Sequence, residues 1–347
     1  MPRGRGWHFQ AHVSLIIPTP SVGSSSTFAS SVSTFLHTES FTHQRWTTFH
    51  DRRLLLIRSP SSSIALHLLP TPLAADDVLP PSTSSDLSDA FIGRGRQPGR
   101  RSVLVHLWED QWLEHSDIVR SRLLSILGRS TRLMARNLVS RRIDAATVDA
   151  FLLENHLWGA TKARYRYGLY TKADEQLVAV ASFSARWNVR RGGAGDEPRA
   201  SHELIRYCSR RGESVVGGIS KLLKAFQRDA DPDEIVTVID RDWGAGDGWA
   251  TLGFQPLKRL PPVTFYVGPD GKRCHPGVGP NPHRRRLPED VHAALQSASD
   301  DEAEDQYAEA DAAEAFLGTL GYYPVRDAGA ERHLLIVTPR EEREPSE

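Results

Sequence analysis

Between Glu203 and Phe254 the chain concentrates residues that can do chemistry, reading ELIRYCSRRGESVVGGISKLLKAF and then, from Glu234, EIVTVIDRDWGAGDGWATLGF. A strand-like run, Leu204 to Cys208, passes through a polar turn to Gly217-Gly218, which opens an amphipathic helix. Bare backbone N–H groups of Val216, Gly217, Gly218 and Ile219, with the Ser220 hydroxyl and the Lys221 ammonium, would face an anion there. The helix dipole reinforces that preference, so the segment reads as a phosphate-binding turn. A tight strand-to-helix turn, with the glycines serving geometry alone, explains the same residues. Glu203 begins the strand, where burial would raise its pKa and let it take a proton from an amine, directly or through water. An ion pair with Arg206 or Arg210 is the alternative, and His202 shares either role. Asp240 and Trp243 follow the next strand, Ile235 to Ile239, at the carboxyl end where α/β sheets gather ligands. Arg284, Arg285 and Arg286, with Arg190-Arg191 and Arg210-Arg211, could track a nucleic-acid backbone or form a solvated surface. His156, His202, Cys208, Cys274, His275 and His283 lack metal-ligand spacing, so no metal is expected.

These residues sit in a chain of 347 with 39% hydrophobic residues and 8 Trp, enough for one large domain or two ordinary ones. The formal net charge of zero hides an asymmetry: residues 1–100 carry +3, residues 101–298 carry +7 and residues 299–347 carry −10. Two cysteines exclude a disulfide scaffold, and Cys208 inside the apolar strand reads as a core residue. No run approaches the ~18–20 apolar residues of a membrane-spanning helix, so no membrane partner is expected.

Residues 1–75 hold 13 Ser and 6 Arg but only Glu39 and Asp51 as acids, and no Lys. That is the composition of an organelle transit peptide, for plastid or mitochondrion, or of a disordered leader. Residues 76–100 read as linker. Order is expected from Val103: the strand VLVHLW and the helix SDIVRSRLLSILG form a short strand-helix unit over 101–130. LMARNLVSRRI is a second strand, Asp144 caps the helix AATVDAFLLENH, and RYGLYT with LVAVASFS forms a hairpin across Lys172 to Gln176. The strands and helices above follow, then strands near Phe254 to Leu257 and Thr264 to Val267. Residues 269–347 read as an irregular basic loop, an acidic helix and a closing hairpin, GYYPVRDAGAERHLLIVT.

From Arg136 this order is β-α-β-β-β-α-β-α-β-β, a mixed sheet with helices on its faces. The order resembles the GNAT superfamily of N-acyltransferases, over a domain of 131–268. The resemblance implies an α/β, GNAT-like mixed sheet flanked by helices, behind the strand-helix unit and the disordered leader. It implies acetyl-CoA or another acyl-CoA on the fourth strand, the glycine turn and the next helix, and a small-molecule or protein amine as acceptor. The family turn Arg/Gln-x-x-Gly-x-Gly/Ala falls on Ser214-Val215-Val216-Gly217-Gly218-Ile219, matching at Gly217 and departing at Ser214 and Ile219. Glu203 stands where many members place the general base. Trp249 stands where they carry the Tyr that protonates the thiolate; an indole N–H donates a hydrogen bond but has no accessible acid pKa. His156 would overlook the substrate side, or would complement its helix C-terminus.

A second resemblance carries lineage. HLWEDQWLEHSDIVRSRLLSILG, ENHLWG, GLY…LVAVASF, ELIRYCS, VVGGISKLLKAF, DRDWGAGDGWATLGF, PPVTFYV and GYYPVRDAG are similar, in that order, to a module found behind Vsr-like homing endonuclease domains in phage and bacterial proteins. His106 to Gly128 resembles the end of the nuclease domain, whose catalytic acids have no counterpart upstream, so nuclease activity reads as lost. Three functions stay open: an acyl-CoA-dependent N-acyltransferase, a non-catalytic nucleic-acid-binding module, and a ligand-binding or interaction protein that uses the same cleft without turnover.

Overall fold

The computed structural model describes residues 24–58, 62–93, 101–191, 197–275, 285–293 and 306–337. It corrects the expectation of a leader and linker over the described residues between 24 and 93. That stretch contains α1 (Ser24–Thr38), β1 (Gln44–Phe49), β2 (Arg52–Arg58), β3 (Ser62–Leu69) and α2 (Thr83–Gly93), followed by β4 (Arg101–Trp108), α3 (Glu109–Glu114) and α4 (Ser116–Ile126). The strands form one sheet in the order β1-β2-β3-β4, with β3 and β4 parallel across the α2 crossover. The reason lies in the apolar pattern beneath the serines. Leu55, Ile57, Ile64, Leu66, Val105 and Leu107 pack on one face against Phe28, Val32 and Leu36 of α1 and Val119 and Leu123 of α4. Leu54, Ala65 and Leu104 pack on the other face against Leu87 and Phe91 of α2. Both faces are covered, so β2, β3 and β4 run as continuous apolar stretches. Residues 1–23 lie outside the described residues.

The second body carries β5 (Thr131–Met134), β6 (Leu138–Arg142), α5 (Ala145–Asn155), β7 (Tyr165–Thr171), β8 (Leu177–Phe183), β9 (Trp187–Val189), β10 (Arg199–Ser209), β11 (Glu213–Val216), α6 (Gly218–Ala230), β12 (Glu234–Asp240), α7 (Asp247–Ala250) and β13 (Gln255–Leu260). After these come β14 (Thr264–Val267), β15 (Arg273–Cys274), α8 (Gln306–Thr319), β16 (Tyr323–Arg326) and β17 (Ala330–Ile336). The main sheet runs β13-β17-β12-β10-β8-β7-β6, with β9 on β10; this is the GNAT-like mixed sheet. The β7–β8 hairpin is antiparallel as expected, and Asp144 caps α5, accepting from the Thr147 N–H at 2.9 Å. On one face α6 buries Leu222, Leu223 and Phe226 against Tyr167, Phe183, Leu204 and Ile235. The Phe183 and Phe226 rings stack there with centroids 4.0 Å apart. On the other face α5 sets Val148, Phe151 and Leu152 against Val180.

Two expectations near the C-terminus change. The segment read as a closing hairpin is split between sheets: β16 pairs with β14, whereas β17 inserts antiparallel between β12 and β13. The GNAT-like domain therefore does not close at 268, because β17 supplies an interior strand of its sheet. Residues 264–267 join instead the three-stranded sheet β15-β14-β16, inserted between β13 and β17.

The bodies are joined by polar contacts that are buried or partly buried. The Trp108 indole donates to Asp242 at 2.9 Å, and Arg241 donates to Asp89 at 2.5 Å. Arg273 grips Asp110 through two bonds of 2.7 and 2.9 Å. Such fork geometry is the strong form of the guanidinium–carboxylate pair.

Candidate active site

The parallel strands β10 and β12 are in register only from Ser201–Leu204 against Glu234–Thr237. At that limit the Thr237 hydroxyl donates to the Leu204 carbonyl at 3.1 Å. One residue later β10 shifts register against β8, leaving Ile205 as the extra residue of a bulge. A bulge bends its strand and sharpens the twist, so the two strands part toward their carboxyl ends. The gap is a cavity of about 490 Å³ passing between them.

Alternation along β10 decides which side chain meets which face. The His202 ring packs edge-on against Phe226, its centroid 5.1 Å away, so His202 belongs to the α6 face. Glu203 therefore lies on the α5 face and lines the cavity. Burial raises its pKa, while Arg332 and Arg206 pull it back. A carboxylate so held keeps a usable proton affinity. Leu204 and Tyr207 line the cavity from the α6 side.

His156, at the end of α5, lines the cavity with Nδ1 accepting the Trp158 backbone N–H at 3.1 Å. This bond puts the proton of the neutral ring on Nε2. Burial first, then Arg206 and Arg122, hold its pKa well below the ordinary value, so it is a neutral imidazole. Asp240 ends β12, accepting from the Asp242 N–H at 2.9 Å and from the Trp158 indole at 3.4 Å. Burial and the neighbouring Asp240 and Asp327 charges push Asp242 well above the carboxylate range. Asp327 is raised by burial to about 6 although it accepts from the Val263 and Gly329 N–H groups. Trp243 is buried beneath the Arg122 guanidinium, which lies 4.4 Å from the indole centroid. Trp249 lines the cavity and also packs edge-on on Phe254 at 5.3 Å. The cleft residues read from sequence (Glu203, His156, Asp240, Trp243 and Trp249) thus come together.

The glycine turn is more committed than its sequence suggests. Gly217 is left-handed (φ 74°) and precedes the first residue of α6. The Tyr207 hydroxyl sits so near Gly218 that a Cβ there would lie 2.6 Å from it. Lys221 does not face the turn as a free cation. Its ammonium donates to the carbonyls of Ala135 and Leu138 at 3.0 and 2.5 Å, because the short β5–β11 pairing brings that segment against α6. Ser220 and exposed Lys224, four residues apart on one helix face, line a groove between α6 and Thr251–Leu252. The Val216 and Gly218 amides stand at the same helix end.

The basic cluster stands apart. Arg285 pairs with Asp270 at 2.5 Å, Arg286 bridges to His275, and Arg284 lies outside the described residues. Among the described residues no group of three metal-ligating side chains occurs, and no helix is long and apolar enough to cross a membrane.

Sequence reasoning missed Arg122 and Trp158 and named Arg206 only as an ion-pair partner of Glu203; all three line the cavity. Arg206 was legible as a polar residue alternating along β10. Arg122 was not, since between the buried Val119 and Leu123 it resembles any surface residue of an amphipathic helix.

No family model matches the chain, and no curated protein matches it. Among solved structures, a chain of the NatC complex bound to Gag peptide and CoA is 8% identical, over 58% of this chain and 99% of that one, with a TM-score of 0.29. A histone acetyltransferase HPA2 and related acetyltransferase from Corynebacterium glutamicum is 16% identical, over 36% and 88%, at 0.26. L-PGS from Bacillus licheniformis is 12% identical, over 91% and 92%, at 0.20. The strand order, rather than these overlaps, identifies the fold.

Proposed function

We propose that the protein is an acyl-CoA-dependent N-acyltransferase that takes an amine acceptor on the α5 face of its sheet. The observation that carries this reading is the parting of β10 and β12. Beyond Leu204 and Thr237 the facing strand edges no longer pair with each other, so backbone donors and acceptors line a slot open to both faces. A linear, amide-bearing chain suits such a slot, and the amides at the start of α6 suit the phosphates that would follow it. Val216 to Ser220, with Lys224 in place of the committed Lys221, would hold that end. When bound, acyl-CoA supplies the activated thioester carbonyl.

The remaining chemistry falls to side chains of this protein. Glu203 accepts the ammonium proton, directly or through one water, leaving the free amine as nucleophile. His156, neutral and with Nε2–H as donor, orients the acceptor rather than competing for the proton. Trp249 shapes the thiol side of the slot and donates no proton as an acid. The test is thiol release from acetyl-CoA across a panel of amines. Glu203→Gln should abolish release while leaving CoA affinity unchanged; a variant of wild-type rate removes Glu203 from the role.

Two further proposals concern lineage and address. The likeness of His106 to Gly128 to the end of a Vsr-like nuclease domain makes residues 24–126 a candidate nuclease relic. Its strands β1, β2 and β3 contain no Asp or Glu to hold a catalytic metal. Plastid or mitochondrial targeting is proposed from the leader composition, with Arg3 and Arg5 and no acid in residues 1–23. A fluorescent fusion of those residues that stays in the cytosol removes it.

A further inference from the structure

Arg122 is a residue of the cleft that the proposed transfer does not use. It comes from α4, in the other body of the chain, and reaches the cavity between His156 and Trp243. Among the described residues its guanidinium has no hydrogen bond or ion pair; its contact is the Trp243 face at 4.4 Å. Asp240 and Asp242 attract it from farther away, and burial acts against its charge. The Trp243 face leaves the N–H fork of the half-buried guanidinium unspent and open to the cavity, where a ligand can supply its partners. Arg206 adds a second positive charge on the same face, near His156.

The cation is not placed for the phosphates of a CoA. Its neighbours His156 and Cys208 belong to the α5 face, whereas the glycine turn and α6 cover the opposite one. Its ligand therefore arrives with the acceptor. The same cavity is lined by the carboxyls of Glu203, Asp240 and Asp327, which suit an ammonium. Two guanidiniums facing three carboxyls match a zwitterion better than a dianionic phosphate or a polyamine. A cleft of about 490 Å³ is ample for such a molecule.

We infer that the acceptor is an amine that also carries a carboxylate, an amino acid or short peptide, with Arg122 stacked on Trp243 as the anchor for its carboxylate. This rests on the acyltransferase reading for the fate of the amine, but the anchor itself is a binding claim. It also explains why the two bodies are fastened together at Asp89–Arg241 and Asp110–Arg273 beside the cleft. An acceptor site shared between α4 and β12 needs that junction held fixed.

The test uses the full chain, with CoA present, titrated calorimetrically with proteinogenic amino acids, their carboxamides and aminomethylphosphonate. At least one acid should bind at least about tenfold more tightly than its carboxamide, the scale of a lost charge-assisted pair. Arg122→Gln should abolish that preference and Arg122→Lys should retain part of it, with CoA affinity unchanged in both as the check on folding. Equal binding of acids and carboxamides, tighter binding of the phosphonate, no acid bound at millimolar concentration, or a preference that survives Arg122→Gln would each overturn the anchor. If CoA does not bind but Arg122 still governs an acid-over-amide preference, the acyltransferase reading fails and the anchor stands.

Discussion

Gly218→Ala probes the start of α6 most sharply, because the structure says what a methyl group would meet. A Cβ at 218 lies 2.6 Å from the Tyr207 hydroxyl, 2.9 Å from Val215 Cγ1 and 3.0 Å from Val215 Cβ. Neither neighbour retreats easily. Val215 is buried on β11, which is paired with β5, and the Tyr207 ring is packed against the core under α6. Overpacking of this kind costs about 1–3 kcal/mol. Exchanging Gly for Ala in a helix returns about 0.5–1 kcal/mol. With two contacts under 3.0 Å the overpacking lies in the upper part of its range, about 2–3 kcal/mol. The net is a loss of about 1–2.5 kcal/mol, a fall in Tm of about 2–10 °C by calorimetry. Gly217→Ala should lose a comparable amount for a different reason. Its methyl would meet only Ala135 Cβ, at 3.7 Å, but its left-handed φ of 74° costs about 1–2 kcal/mol with a side chain. Repeating both substitutions in a Tyr207→Phe background separates the causes. Gly218→Ala should be less costly there by at least about 0.5 kcal/mol, a coupling typical of touching residues, while Gly217→Ala should add without coupling. A Gly218→Ala protein as stable as the wild type, or one additive with Tyr207→Phe, would refute the packing argument.

Other outcomes follow from the same structure. Arg206→Gln removes a charge that pulls the Glu203 pKa down, so the acidic limb of the acyl-transfer pH profile should move to higher pH; an unmoved limb means another base. Asp110→Asn leaves Arg273 buried without its carboxylate and should cost about 3–5 kcal/mol in urea unfolding, whereas a loss below about 1 kcal/mol would mean the junction is loose. Burial holds His67 at about 4, against an ordinary value of 6.5. Its folded pKa is depressed, so the unfolded chain binds more protons between those values, and stability falls as pH drops from 6.5 toward 4. The full contribution is on the order of 3 kcal/mol. His67→Gln should flatten that part of the stability profile relative to wild type, and an unchanged slope would contradict the burial argument. Leu55→Ala and Phe183→Ala, one in each body, should each cost about 2–5 kcal/mol; a Leu55→Ala protein of unchanged stability would detach residues 24–69 from the folded core.

Between β6 and β13 most elements were legible in sequence, because each carries its own local signal: the Asp144 cap, the period-two strands, the glycine pair, the amphipathic α6. The short β9 and β11 were not, the latter reading as a polar turn. What local pattern could not show was adjacency. β17 is plainly strand-like in AERHLLI, but nothing near it says that it lies between β12 and β13 rather than against β16. The first 75 residues misled for another reason. Serine and arginine counts describe the surface of α1 and β2, whereas Phe28, Val32 and Leu36, spaced at four, carry the fold. At the site, residues on β10 and β12 could be found by alternation and by their position at strand ends. Arg122 could not, because its role arises only where two distant segments meet. Lys221 shows the converse: a cation suited by sequence to a phosphate turn is spent on the carbonyls of Ala135 and Leu138.

The central claim is that the parted strands and the start of α6 hold an acyl-CoA. The most direct measurement is calorimetric titration of the full chain with acetyl-CoA, beside Ser220→Glu, which sets a negative charge in the first turn of α6 without straining the backbone. The account predicts binding in the micromolar range that Ser220→Glu weakens at least about tenfold. Absence of heat at millimolar acetyl-CoA, in a protein whose calorimetric unfolding is cooperative, would contradict it.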